Sequence, residues 1–298
     1  MAKGTNEQAP LLNDIDERQR APTRESISPE GVKLVHESQS VERFKRREGP
    51  LRYSVLGVPV DAVQIPDVIN QIEVWIADRS PSRFIAVTGM HGIVEAQHDA
   101  SFKTILKQAD LVVPDGMPLV WLGRKCGYPM ERRVYGPELT ESFCRATHTK
   151  YRHFFYGGVP GVADNLADFL HIQSGACIAG TYSPPFRPLT DREDNEIIKR
   201  INQAAPDIVW VGLSTPKQER WMFEHRKSLR APVLVGVGAA FDLLTGRVMQ
   251  APRWMREHGL EWLFRLQQEP QRLWRRYLIY GPEFVWKASL EALGPKRL

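Results

Sequence analysis

In Leu111-Val112-Val113-Pro114-Asp115-Gly116 an apolar run ends in a carboxylate followed by glycine. A carboxylate at a strand end can act as a general base, taking the proton from an attacking hydroxyl. Asp-Gly is also ordinary turn chemistry, and spacing alone leaves both readings open for Asp115. Two further segments have the features of anion sites. In His153-Phe154-Phe155-Tyr156-Gly157-Gly158-Val159-Pro160-Gly161 an apolar run ends in glycines, with Pro160 well placed near a helix start. Amides exposed at Gly157 and Gly158 and aimed by that helix favour a diphosphate, although a plain strand-to-helix turn fits the same letters. In the segment from Val209 to Glu219, Gly212 closes an apolar run. Thr215, Pro216 and Gln218 then read as a capping box, with Thr215 as N-cap and Pro216 at the first helical position. Lys217 adds a positive charge that capping does not call for, and Gln218 and Glu219 follow it. Gly236-Val237-Gly238, followed by Phe241 and Asp242, is a weak G-x-G that close backbone packing explains as well. Neither a P-loop nor a G-x-G-x-x-G fingerprint is present, which weighs against a nicotinamide oxidoreductase.

Positioning these groups requires strands that end together. Arg52–Val58, Arg83–Val87, Leu111–Pro114, His153–Tyr156, Ala176–Thr181, Asp207–Gly212 and Val233–Val237 read as strands. Pro66–Ala77, Gly92–His98, Pro118–Leu122, Val162–Leu170, Glu193–Ala204 and Gln218–Lys227 alternate with them as helices. The alternation predicts an α/β fold, Rossmann-like, with a mostly parallel sheet and helices on both faces. Ligands bind such sheets at the carboxyl ends of the strands. Three segments are expected: a loosely attached extension over 1–50, the α/β domain over 51–246, and a basic helical appendage over 247–298. Helices are expected at Pro252–Gln267, Gln271–Tyr280 and Pro282–Leu293, with breaks at Pro270 and Pro282.

The net charge of +5 on 298 residues is mild and does not call for nucleic acid. Its placement is more informative. Residues 1–50 carry nine Lys/Arg and nine Asp/Glu, whereas 253–298 carry nine Lys/Arg against five Asp/Glu. Trp254, Trp262, Trp274 and Trp286 fall in the same stretch, and a basic, Trp-rich segment is what an anionic membrane surface attracts. The cluster Lys45-Arg46-Arg47 is better read as a solvated linker. No run approaches the roughly 18 apolar residues that span a bilayer, and residues 1–50 do not read as a signal peptide. Cys126, Cys144 and Cys177 are odd in number and lack metal-binding spacing, as in reduced thiols of a cytoplasmic protein. Arg265, Arg272 and Arg276 would share one helical face, with Arg275 about 80° away.

In this order the segments resemble the WecG/TagA/CpsF family of bacterial glycosyltransferases, glycosyltransferase family 26. The resemblance covers roughly Tyr53 to Val285. Its longest stretch runs through Ala251-Pro252-Arg253-Trp254-Met255, Gly259 to Leu266, Glu269-Pro270 and Arg272 to Tyr277. It implies a metal-independent inverting enzyme without a cofactor. A UDP-sugar is the donor and a sugar on polyprenyl diphosphate the acceptor, in synthesis of exopolysaccharide, capsule or cell-wall polymer. The protein would then work on the inner face of the cytoplasmic membrane; a homo-oligomer is compatible with this. Asp115 matches the family's general base and Thr88 lies in the same pocket. Gly157, Gly158, Gly212, Lys217, Gln218, Glu219, Gly238 and Asp242 are the expected donor side. Arg265, Arg272 and Arg275 would meet the acceptor's diphosphate. Where many members read Thr-x-Asn this chain reads Thr88-Gly89-Met90-His91, which bears on the donor sugar. A non-catalytic nucleotide-binding partner of a polysaccharide assembly complex is the competing expectation.

Overall fold

The structure is a computed structural model that describes residues 51–79 and 81–293; the extension expected over 1–50, with Lys45-Arg46-Arg47, lies outside the described residues. Near-continuous apolar runs form β3 (Arg83–Thr88), β4 (Leu111–Pro114), β5 (Arg152–Gly157), β6 (Cys177–Tyr182), β7 (Ile208–Gly212) and β8 (Val233–Gly236). Such runs suit strands buried on both faces. They make one sheet in the order β4-β3-β8-β7-β5-β6, with every pair parallel. Along β3, Phe84 and Ala86 enter one core cluster and Ile85 and Val87 the other, so each face of the sheet has its own core. All six carboxyl ends therefore lie at one edge.

The strand expected over Arg52–Val58 is instead a hairpin of β1 (Arg52–Val55) and β2 (Val58–Asp61). Leu56 and Gly57 both have positive φ (52° and 75°), the backbone twist that a two-residue turn between antiparallel strands requires. The hairpin delivers the fully buried Asp61 to the free edge of β4. There its carboxylate accepts the Val112 amide at 2.7 Å and Arg52 Nε at 2.6 Å. Burial pushes Asp61 up to about 6 in spite of those donors.

The expected helices appear as α1 (Ile65–Asp78), α2 (Met90–His98), α4 (Met117–Lys125), α6 (Val162–Ser174), α7 (Asp191–Ala204) and α8 (Lys217–His225). Between and after them lie α3 (Ala100–Lys107), α5 (Gly136–Thr147) and the short α9 (Ala240–Leu244), which the pattern did not predict. Asp99 caps α3 by accepting the Phe102 amide at 3.0 Å. The capping box expected at Thr215 does not form. The Thr215–Pro216 peptide is cis, α8 begins at Lys217, and the Thr215 hydroxyl donates to Glu219 Oε1 at 2.8 Å.

The C-terminal helices are α10 (Arg253–Glu257), α11 (Glu261–Gln268), α12 (Pro270–Trp274), a π-turn (Arg275–Ile279) and α13 (Tyr280–Leu293). Pro270 opens α12, but Pro282 does not break the chain. A proline ring collides with the carbonyl four residues back, here Leu278. That carbonyl lies in the π-turn, where Tyr280 N–H bonds the carbonyl of Arg275, five residues back, and the wider coil accommodates the ring. Among the described residues no helix is long and apolar enough to cross a membrane.

Candidate active site

Strands β3 and β4 place Thr88 and Asp115 side by side, the Asp115 amide donating to the Thr88 carbonyl at 2.8 Å. Gly89 permits this approach, since a Cβ there would stand 2.6 Å from the Asp115 carbonyl oxygen. The Thr88 hydroxyl is buried without a hydrogen-bond partner among the described residues. The Asp115 side chain is 29% exposed, yet its Oδ1 is also buried without a hydrogen-bond partner among the described residues. Burial pushes its carboxyl up to about 6; Arg133, Arg276 and Arg265 oppose the rise and Glu261 adds to it.

Three guanidinium groups therefore act on the carboxyl by their charge. Arg133 Nη1 is 3.9 Å from Asp115 Oδ1, and the group lies over the Tyr135 ring, 4.2 Å from its centroid. Arg133 is also ion-paired with Glu261 of α11, which accepts the Tyr135 hydroxyl at 3.2 Å. Arg265, on α11, is 9% exposed with an unpartnered Nε. Arg276, in the π-turn, is half-buried, and among the described residues no carboxylate lies within ion-pair distance of it. Burial and then the like charges of Arg265 and Arg272 hold its guanidinium below the ordinary value. Arg272 pairs with Glu269 at 2.5 Å and is exposed. Arg275 is exposed over the Trp274 ring. Of the appendage arginines, Arg265 and Arg276 are thus the two whose charge acts on Asp115.

The other expected residues lie along the same sheet edge. Gly157 and Gly212 end β5 and β7 in register, and a Cβ on Gly157 (φ 136°) would sit 2.5 Å from the Gly212 carbonyl oxygen. Gly158 N–H donates to that carbonyl at 3.1 Å. Gln218 is buried, its Oε1 accepting the Gly238 amide at 2.9 Å and its Nε2 donating to Glu219 Oε1 at 3.0 Å. Glu219 is fully buried, and burial holds its carboxyl above the ordinary value. Gln218 and Glu219 thus fix the Gly238 turn from below. Lys217 is exposed, its ammonium 5.5 Å from the Phe186 ring centroid, and Asp242 pairs with Arg247 at 2.9 Å. His91 stacks on Tyr280 of α13 with ring centroids 5.5 Å apart, and burial lowers it to about 3. It is a neutral contact between α2 and the appendage.

Arg133, Tyr135 and Glu261 were missed by sequence reasoning. Arg133 and Tyr135 lie in an irregular connection after α4, and Glu261 is 128 residues from Arg133. No local spacing joins them. Among the described residues no group of three or more His, Cys, Asp or Glu side chains is gathered to hold a metal ion.

A parallel sheet whose carboxyl edge holds a raised carboxyl among arginines, under a helical appendage, has the arrangement of a group-transfer enzyme. The chain belongs to the Glycosyl transferase WecG/TagA/CpsF family, whose sequence profile matches residues 53–298. It is a glycosyltransferase. It is 30% identical over 224 residues, 74% of this chain and 84% of the relative, to an N-acetylglucosaminyldiphosphoundecaprenol N-acetyl-beta-D-mannosaminyltransferase of Bacillus spizizenii. A protein of the same description from Staphylococcus aureus strain MW2 is 26% identical over 246 residues, covering 82% of this chain and 95% of the relative.

Proposed function

We propose that the protein transfers a sugar from a UDP-sugar, with inversion and without a metal, to a hydroxyl of a sugar carried on polyprenyl diphosphate. The observation that carries this reading is Asp115, a carboxyl raised to about 6 with an oxygen unpartnered among the described residues and three arginines acting on it by their charge. Asp115 takes the proton of the acceptor hydroxyl, whose oxygen attacks the anomeric carbon from the face opposite the diphosphate. The bond to UDP breaks in the same displacement. Arg276, Lys217 and the start of α8 receive the negative charge that develops on the departing diphosphate. The names of the relatives support the lipid-linked acceptor, with N-acetylglucosamine as the sugar to test first.

UDP release from a panel of UDP-sugars, with membrane extract containing lipid-linked sugars as acceptor, tests the reading. Release from one donor that depends on the extract is expected. UDP binding without release from any donor would favour the non-catalytic partner.

The Arg133–Glu261 pair leads to a pH prediction. Glu261 raises the Asp115 carboxyl by its charge and holds the arginine that would lower it. In Glu261→Gln both effects push the carboxyl down, so the acid limb of kcat/KM should move from about 6 toward lower pH, and a weaker base should lower the plateau. An unmoved acid limb would mean that Glu261 serves packing alone.

The last helix supports action at a membrane surface. Trp286, Leu290 and Leu293 are exposed on the side of α13 opposite the buried Phe284 and Ala288, and exposed Leu278 and Ile279 precede them. We assign this face, with the exposed Arg275 that precedes it, to the inner surface of the cytoplasmic membrane. Trp286→Ser together with Leu290→Ser should weaken binding to anionic vesicles at least about tenfold, as the area each side chain would bury implies. Unchanged sedimentation with vesicles would move the anchor elsewhere.

A further inference from the structure

A cavity of about 690 Å³ lies next to Asp115, within the ~300–1,000 Å³ usual for small-ligand sites. It is lined by Met117 and Trp121 of α4, by Arg133 and Tyr135, and by Arg256 and His258 from α10 and its end. Strand order fixes which side of the carboxyl this is. The glycine turns after β8, β7 and β5 lie inward along the sheet from β3 and β4, whereas the cavity is built from the segments that follow β4, the edge strand, with α10 packed against them. Arg133 belongs to both places, since it lines the cavity and reaches Asp115 at 3.9 Å. The cavity therefore adjoins the base from the side away from the proposed diphosphate, the side from which an inverting displacement needs its nucleophile.

Its chemistry is that of a carbohydrate site. Most of its charge is already committed. Arg124 donates to the Met130 and Glu131 carbonyls, both at 2.6 Å, Arg132 pairs with Glu138 at 3.1 Å, and Arg253 with Glu257 at 2.7 Å. Arg256 is the exception. Its Nε is buried without an acceptor among the described residues, and its guanidinium lies 5.8 Å from the Tyr135 ring centroid. Trp121 is 51% exposed although it stands only one helical turn into α4, the helix that follows β4. Gly259 abuts its edge, since a Cβ there would lie 3.5 Å from Trp121 Cη2. Aromatic rings beside one uncommitted fork of donors suit a pyranose, whose C–H faces pack on rings and whose hydroxyls accept from guanidinium.

We propose that this cavity is the subsite for the acceptor's sugar, held on Trp121 and Tyr135 with Arg256 donating to its hydroxyls. This rests on the transfer reading above and leaves the lipid diphosphate to Arg265 and Arg272. Two measurements on the full chain test it. In the coupled UDP-release assay, Trp121→Ala and Arg256→Gln should each raise the half-saturating acceptor at least about tenfold, or about 1.4 kcal/mol, with the donor KM unchanged. Trp121→Phe should recover most of the loss, which a merely structural role would not predict. In protein labelled with 5-fluorotryptophan, the Trp121 resonance (identified by its loss in Trp121→Phe) should shift on adding methyl glycosides of glucose or N-acetylglucosamine but not on adding UDP. A wild-type protein that transfers nothing would defeat the transfer reading, and the fluorine titration would still judge the cavity. An unshifted Trp121 signal, or acceptor saturation unchanged in both variants, overturns the proposal.

Discussion

Replacing Asp115 by Asn is expected to lower transfer about 1,000-fold and to make the protein more stable at neutral pH. The first effect follows from the loss of a positioned base, since an amide cannot take the acceptor's proton. UDP binding should be retained, because the glycine turns and α8 lie along β5, β7 and β8 and do not depend on the carboxylate. The second effect follows from the raised carboxyl. Below the unfolded value of 3.8 both states are protonated and burial carries no charge penalty. As pH rises through about 6 the folded state must accept a buried charge, so stability is lost through that window and stays lost above it. Asn removes the titration. Its melting temperature should exceed that of the wild type at pH 7.5 and match it near pH 4. In the wild type kcat/KM should fall about tenfold per pH unit below about 6 and level off above. Turnover within a few-fold of normal in Asp115→Asn would end the base assignment. Lost turnover with a lowered melting temperature at neutral pH would mean the carboxylate holds the structure together instead.

The residues whose placement depends on backbone period were legible in the sequence, and those placed by long-range contact were not. Buried parallel strands are written as apolar runs, so Leu111–Pro114 and Ile208–Gly212 declared both themselves and the edge where Asp115 and Gly212 stand. The hairpin was misread because Arg52–Val58 is apolar enough for one strand, and only the positive φ of Leu56 and Gly57 reverses it. Thr215 was misread because a hydroxyl three residues before a glutamine fits a cap as well as it fits a bond to Glu219. The arginines were the hardest. A regular helix through 265–276 would distribute them by 100° steps, but α11 ends at Gln268, α12 starts at Pro270, and a π-turn follows. Each interruption turns the later side chains to a face that no period predicts.

That rotation separates two adjacent arginines, and the contrast between them is testable. Arg275 is exposed over Trp274, whereas Arg276 is half-buried, its charge acting on Asp115 and held against burial and against Arg265 and Arg272. A cation kept in such a place without a fixed carboxylate partner is unfavourable in the resting protein and becomes favourable when an anion arrives. The departing diphosphate is the anion that gains charge during the displacement, so the guanidinium stabilises the transition state more than the bound donor. Arg276→Gln should therefore lower kcat about 100- to 1,000-fold, with a smaller change in donor KM. It should also stabilise the fold, because burial and the like charges of Arg265 and Arg272 outweigh the attraction of Tyr277 and Asp115 in the resting protein. Arg275→Gln should change kcat for a detergent-dispersed acceptor by less than about threefold. The two variants differ by one position in the same π-turn, so damage to the turn would affect both. Equal losses would show that the appendage acts as a whole. A loss confined to Arg275→Gln would mean that the appendage rotates on substrate binding and brings the outer arginine inward.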